Sequence, residues 1–220
     1  MDKRLKTILP FLDGFTTLYD VGSDHALLPI AALKETTITK AYAIDNKKGP
    51  LNQAQKNIEK TPFSNRIEVI LSDGLDALKS DVDVVVIAGL GGGTIKTIMQ
   101  AYQAHYVKRF ILSPNTNAHH VRALVNEKNL KITQECYLEQ KGVFYPIIIL
   151  EPGEATLSSD ALYLSTFLIE QKDETYHKAL LKEKEHLEAT LAKIPTKDQQ
   201  SDLCKQKQRL RRALHAWSED

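Results

Sequence analysis

Cysteine is almost missing from this chain: of 220 residues, only Cys136 and Cys204 carry a thiol. Two thiols cannot form a disulfide framework or a four-cysteine zinc site. Long apolar runs are missing too. None approaches the roughly 20 residues a membrane span requires, and Met1-Asp2-Lys3-Arg4 is not followed by a signal-peptide core. Net charge is small, +1 from 29 basic and 28 acidic side chains. Alone, that sum argues against a nucleic-acid partner, because binding phosphates calls for a positive surface. Acid is absent locally as well: residues 94–126 hold Lys96, Lys108, Arg109 and Arg122 and no carboxylate. This leaves one stretch expected to be positive inside a neutral total. A hydrophobic fraction of 42% supports a packed core. The expectation is a soluble, cytoplasmic globular protein with no metal and no membrane contact.

Short apolar runs alternate with helical periodicity. Leu5, Ile8, Leu9 and Leu12 give a first helix its buried face. Strands are expected at Thr17–Val21, Ala41–Ile44, Ile67–Leu71, Val82–Ala88 and Phe110–Leu112. Between them lie helix candidates at Ala26–Leu33, Pro50–Lys60, Thr94–Gln103 and Ala118–Glu127. This alternation indicates an α/β fold whose parallel sheet has helices on both faces. Lys131–Leu138 and Val143–Leu150, turning at Lys141-Gly142, read as a closing hairpin. The break at Glu151-Pro152-Gly153-Glu154 sets a domain boundary, giving 1–152 and 153–220. Beyond it, Leu180, Leu187 and Ile194 recur every seven residues, Pro195 and Thr196–Asp202 end that helix, and Leu203, Leu210, Leu214 and Trp217 mark another. A C-terminal helical hairpin, as in an antiparallel coiled coil, is expected.

Ligands of open α/β sheets bind outside the carboxyl ends of the strands. Following the first strand is Asp20-Val21-Gly22-Ser23-Asp24-His25-Ala26; the second is followed by Asp45-Asn46, the third by Ser72-Asp73-Gly74 and the fourth by Ala88-Gly89-Leu90-Gly91-Gly92-Gly93. Any one of these has a plain structural explanation, since a glycine can simply turn the chain and Asp45 or Asp73 can cap a helix. Acids at three successive strand ends crowd negative charge, which a ligand carrying hydroxyls, an amine and a cationic centre would use. S-adenosylmethionine carries those groups. A nicotinamide dinucleotide fits less well, because Asp24 would repel its pyrophosphate and no acid follows the glycine-rich loop until Glu127. No Gly-Lys-Ser/Thr ends a glycine loop, so a phosphate-binding P-loop is absent.

Three segments, Asp20–Pro29 (DVGSDHALLP), Val86–Gly92 (VIAGLGG) and Ser113-Pro114-Asn115, resemble the bacterial tRNA adenine-22 N1-methyltransferases, the TrmK family. Leu90 stands where methionine is expected in relatives, and Gly93 is an extra glycine. The resemblance implies a class I methyltransferase Rossmann-like sheet, a C-terminal coiled coil that binds tRNA, and methylation of N1 of adenine 22 in the D-loop region. The cofactor residues would be Asp20, Gly22, Asp24, His25, Asp45, Asn46, Asp73, Gly74, Ala88 and Gly89. Methylation of another RNA base, or RNA binding without catalysis, are the alternatives. A monomer or weak dimer is expected.

Adenine N1 has a free lone pair, so its methylation needs alignment and exclusion of water rather than a strong base. The reacting loop is placed at Gly89, Leu90 and Gly91, with their carbonyls or the Asn115 side chain accepting a hydrogen bond from the adenine N6 amino group; taken alone, Asn115 is as well explained as a turn residue. His119-His120 reads as a solvent-facing pair, with a base or phosphate contact as the alternative, and Phe144 and Tyr145 as core or base-stacking rings. RNA contacts are expected from Lys96 and Arg122 in the acid-free stretch. Lys205, Lys207, Arg209, Arg211 and Arg212, with no acid among them, make a second positive cluster.

Overall fold

The computed structural model describes residues 3–103, 106–193 and 201–217. Seven strands form one sheet: β1 Thr17–Val21, β2 Lys40–Asp45, β3 Ile67–Leu71, β4 Val84–Ala88, β5 Arg109–Ser113, β6 Leu130–Gln140 and β7 Val143–Pro152. Their spatial order is β3-β2-β1-β4-β5-β7-β6. The first five are parallel; β7 runs antiparallel to β5 and β6 antiparallel to β7. The order reverses between β1 and β4, the switch point where such sheets open a crevice. Register keeps the strand ends level: Val21 pairs with Ile44 and Ile87, Asp45 with Leu71, and Ala88 with Ser113. The residues read as strand ends therefore stand in one row.

The central strands are mostly apolar because both faces are covered, and Thr17 and Asp20 of β1 are buried among them. Leu18, Ala41, Ala43, Val84, Val86 and Ile111 face one hydrophobic cluster; Tyr19, Tyr42, Ile44, Val85, Ile87 and Phe110 face the other. The helices on these faces are α1 Lys3–Ile8, α2 Leu27–Glu35, α3 Lys48–Glu59, α4 Gly92–Gln100, α5 Ala118–Arg122 and α6 Leu124–Glu127. Pro50 sits third in α3, within its first turn, where a missing N–H costs nothing.

Most boundaries shift by one to three residues from expectation, and four differences bear on the architecture. β4 begins at Val84 rather than Val82, and just before it the Asp83 carboxylate accepts from Thr16 N, Thr16 Oγ1 and Thr17 N. The single helix expected over Ala118–Glu127 is divided into α5 and α6 at Ala123. β7 continues through Pro152, two residues into the expected break. Three helices precede and open the expected hairpin: α7 Ser159–Tyr163, α8 Thr166–Glu170 and α9 Glu174–Leu191, capped by Ser158, Ser165 and Asp173 respectively.

The last helix, α10 Ser201–Ala216, packs against α9. A third hydrophobic cluster joins Leu168, Tyr176, Leu180 and Leu187 to Leu210 and Ala213, with Tyr137 of β6 against it. Leu180 and Leu187 of the heptad series are buried there, whereas Ile194, Pro195 and most of the polar run that follows lie outside the described residues. No described helix is long and apolar enough to cross a membrane.

Candidate active site

Two cavities lie at the carboxyl ends of the strands, the first at the switch point and the second beyond β5. The first, of about 470 Å³, is lined by Val21, Gly22 and Asp24 after β1, Asp45, Asn46, Lys47 and Pro50 after β2, Ser72, Asp73 and Gly74 after β3, and Leu90, Thr94, Thr97 and Ile98 at α4. Its volume is within the roughly 300–1,000 Å³ of small-molecule sites. Three carboxylates against one lysine make its wall negative, which suits a cationic ligand and opposes a pyrophosphate. Asp45 Oδ1 accepts from Lys47 N at 2.8 Å, and Asp73 Oδ1 accepts from Asn46 Nδ2 at 3.3 Å, so neither acid caps a helix. Gly74 has φ +51°, a left-handed backbone that favours glycine, and a Cβ there would press on Ile98 Cγ2 of α4 at 3.0 Å.

Six of the ten expected cofactor residues line this cavity: Gly22, Asp24, Asp45, Asn46, Asp73 and Gly74. Asp20, His25, Ala88 and Gly89 do not. Asp20 is buried within β1, and burial pushes its carboxyl up to about 7. His25 Nε2 turns back to Asp24 at 3.1 Å, and the His25 carbonyl accepts from Asn57 Nδ2 at 3.0 Å. His25 and Ala26 both adopt left-handed backbone, φ 62° and 54°, which delays α2 to Leu27. Adjacent left-handed residues without glycine cost about 1–2 kcal/mol each and tend to accompany functional loops. Lys47, Pro50, Thr94, Thr97 and Ile98 are the wall residues that periodicity could not supply, since their contribution depends on how α3 and α4 dock.

The second cavity, of about 430 Å³, lies between the sheet and the C-terminal helices. Pro114–His119 form one side, Tyr137, Phe144 and Pro146 of the β6–β7 hairpin another, and Tyr163, Lys182 and His186 face them. His119 stacks on Tyr163 with ring centroids 4.7 Å apart, so it is not a solvent-facing residue; burial first, then the neighbouring His120, Arg122 and Lys96 charges, lower its pKa. Phe144 lines this cavity, whereas Tyr145 packs under the Arg4 guanidinium at 5.0 Å.

Between the cavities, two loops are paired through their backbones. Gly89 N donates to Ser113 O at 3.2 Å, Asn115 N to Leu90 O at 2.8 Å, and Gly92 N to Thr116 O at 2.8 Å. A Cβ on Gly92 would lie 2.2 Å from Asn117 O, so only glycine permits this approach. Leu90 lines the first cavity and Asn115 the second. One backbone hydrogen bond thus joins a lining residue of each cavity. Asn115 Nδ2 also donates to Gly89 O at 2.6 Å, and Asn115 Oδ1 accepts from Arg4 Nη1 at 2.8 Å.

The acid-free stretch is not a positive surface. Each of its four cations meets an acid from elsewhere: Lys96 pairs with Glu127, Lys108 with Asp83 at 2.7 Å, Arg109 with Glu151 at 2.6 Å and Arg122 with Glu135 at 2.8 Å. Arg122 is 1% exposed, so a phosphate cannot reach it in this structure, and its expected RNA contact is corrected to a buried ion pair. Lys96 is likewise held to α6 rather than presented.

The α10 cations divide. Lys207 pairs with Glu188 at 3.1 Å, and Arg209 with Asp160 at 2.9 Å while lying over the Tyr163 ring at 4.3 Å. Arg212 shares Asp160 at 2.8 Å but stays well exposed, Lys205 is exposed near Asp202, and Arg211 is exposed. At about 100° per residue, Lys205, Arg209 and Arg212 fall on one helix face, and Lys207 with Arg211 on another.

Comparison with known proteins identifies the family to which this fold and sequence belong. The profile described as TrmK: tRNA (adenine(22)-N(1))-methyltransferase matches residues 18–216. The tRNA (adenine(22)-N(1))-methyltransferase of Bacillus subtilis strain 168 is 30% identical over 96% of this chain and 91% of its own. A putative tRNA (m1A22) methyltransferase of Streptococcus pneumoniae has a crystal structure with TM-score 0.91 and 33% identity, covering 98% of this chain and all of its own. A structure of that Streptococcus pneumoniae protein in complex with S-adenosyl-L-methionine matches with TM-score 0.88 and 31% identity, over 98% of this chain and 100% of its own. The fold, the paired loops and the acid-lined cavity thus carry a sequence that matches along nearly its whole length, and the chain belongs to the tRNA (adenine(22)-N(1))-methyltransferase family.

Proposed function

We propose that the two cavities divide a methyl transfer between them, the first holding S-adenosylmethionine and the second admitting the nucleotide to be modified. The family is one of S-adenosylmethionine-dependent enzymes that methylate N1 of adenine 22 in tRNA, and this chain is such an enzyme. The single observation that supports the division of the site is the Leu90–Asn115 hydrogen bond, which joins the walls of the two cavities.

The cofactor, when bound, supplies an electrophilic methyl group on a sulfonium. The chain's residues fit it through Asp45, whose second carboxylate oxygen is open to a ribose hydroxyl, and through Asp24 and Asp73, which favour a cation. Gly22, Gly74 and Leu90 keep the wall low. Gly89, Leu90, Gly91 and Asn115 hold the adenine, with Asn115 Oδ1 accepting from its N6 amino group. No residue needs to remove a proton before attack, because N1 presents its lone pair already; orientation and exclusion of water are the contributions required. A base turned out of its stack would enter beside Phe144 and the His119–Tyr163 stack, which offer apolar faces to it. Lys205, Arg211 and Arg212 are the proposed phosphate contacts of the helical region.

Cofactor choice is tested by thermal denaturation with S-adenosylmethionine or a nicotinamide dinucleotide. Stabilisation by the first alone, lost in Asp45→Ala, supports the assignment. Stabilisation by the dinucleotide contradicts it.

A further inference from the structure

We infer that Arg4, on the N-terminal helix, is a positioning residue for methyl transfer, fixing the Asn115 amide so that its oxygen faces the adenine amino group. The inference rests on the reading that Asn115 contacts the adenine. An amide side chain has two ends of similar shape, and only its neighbours decide which way it points. Here both neighbours decide it alike. A guanidinium carries donors only, and Arg4 Nη1 meets Asn115 Oδ1 at 2.8 Å. A carbonyl carries acceptors only, and Gly89 O meets Asn115 Nδ2 at 2.6 Å. Turning the amide over would set donor against donor and acceptor against acceptor.

The oxygen retains a second lone pair after accepting from Arg4. The edge of adenine that carries N1 also carries the N6 amino group, which only donates. A fixed Oδ1 can therefore hold the ring by N6 while N1 stays open. As N1 gains its methyl group the ring becomes positive and its amino hydrogens become stronger donors. The bond to Oδ1 then strengthens on the way to the transition state, which is the kind of interaction that raises turnover.

Arg4 is itself held in place. Its guanidinium lies over the Tyr145 ring at 5.0 Å, and its Nη2 borders the space above Gly89, 3.5 Å from where a Cβ would stand. Lys3, one residue earlier, donates to Glu139 O at 2.9 Å and ties the helix to β6. The N-terminal helix thus reaches across 111 residues of sequence to the reacting loop.

The experiment compares the full-length enzyme with Arg4→Ala, Arg4→Lys, Asn115→Ala and the double variant Arg4→Ala/Asn115→Ala. It measures the single-turnover rate at saturating tRNA and cofactor, KM for tRNA, cofactor affinity and Tm. Arg4→Ala is expected to slow the saturated rate about tenfold or more, a difference of about 1.4 kcal/mol in the barrier, with KM for tRNA changed less than about threefold. Alanine keeps the helix, and lysine should restore part of the rate by donating to Oδ1. Because Arg4 acts through Asn115, the double variant should be no slower than Asn115→Ala alone. A raised KM with an unchanged saturated rate would make Arg4 a phosphate contact and overturn the inference. Additive losses in the double variant, or a rate loss matched by loss of folded protein, overturn it too. If Asn115→Ala is slow and Arg4→Ala is not, the Arg4 role alone fails. If Asn115→Ala turns over like the wild type, the reading of Asn115 fails first.

Discussion

Arg122 Nε donates to Glu135 Oε1 at 2.8 Å, and the two side chains are 1% and 3% exposed. Glu135 Oε2 also accepts from the Ser165 hydroxyl, so one carboxylate ties α5, β6 and the start of α8 together. Removing one member of such a pair strands a buried charge, which costs about 3–5 kcal/mol. Arg122→Met should lower stability by that order in urea titrations. Arg122→Met with Glu135→Leu should recover most of the loss. Equal losses in the single and double variants would contradict this account.

Of the α10 cations, Lys205, Arg211 and Arg212 are exposed, Arg212 while pairing with Asp160, and Lys207 and Arg209 are the less exposed, paired ones. Replacing Lys205, Arg211 and Arg212 with alanine should weaken tRNA binding and flatten its salt dependence by about two to three units of slope, at roughly 0.7–0.9 per phosphate contact. Cofactor affinity should not change. Arg209→Ala, by contrast, loses Asp160 and the Tyr163 ring, and should lower Tm with little effect on the slope. A salt slope unchanged in the triple variant removes α10 from the RNA surface.

The paired loops separate two glycines that look alike in sequence. Gly92→Ala places a Cβ 2.2 Å from Asn117 O and should force the loops apart, at about 1–3 kcal/mol of strain, with methyl transfer largely lost. Gly93→Ala meets only His120 Cδ2 at 3.8 Å, an ordinary contact, and should stay active. Comparable activities in the two variants, measured at saturating substrates, would show that the loop pairing does not set the reaction.

Asp20 gives a pH dependence whose sign follows from burial. Its carboxyl ordinarily titrates at 3.8 and is pushed up to about 7 in the folded chain, with Ser23 opposing the shift. Below about pH 4 the group is protonated in both folded and unfolded chains. Between about pH 4 and 7 the unfolded chain releases the proton while the folded chain keeps it, so stability falls as pH rises. Asp20→Asn should remove that decline, worth on the order of a few kcal/mol, and be favoured over the wild type more at pH 8 than at pH 4. Parallel pH profiles of unfolding free energy for the two proteins would contradict the burial argument.

Legibility in the sequence followed locality. Thr17–Val21 and Ile67–Leu71 are strands at the residues read from their apolar runs, β1 because it is buried along its whole length and β3, at the sheet edge with Glu68 and Leu71 exposed, because Ile67, Val69 and Ile70 still pack inward. Asp45 and Asp73 were legible because strand ends are marked by where such runs stop. The left-handed His25 and Ala26 were not, since nothing in their residue types announces φ > 0. Nor was the neutralisation of Lys108 and Arg122, whose acids lie 25 and 13 residues away and meet them only through the fold. Arg4 was invisible for the same reason: its partner is at the other end of the domain.

The central claim, that cofactor and adenine meet beside the paired Leu90 and Asn115 loops so that the methyl group passes directly to N1, is tested most directly by product mapping. The enzyme is incubated with unmodified tRNA and methyl-labelled S-adenosylmethionine, and the product is digested and located by mass spectrometry. The account predicts label on N1 of adenine 22 with the wild-type chain and its loss in Gly92→Ala. Label on another base or position, or undiminished label at adenine 22 in Gly92→Ala, would contradict it.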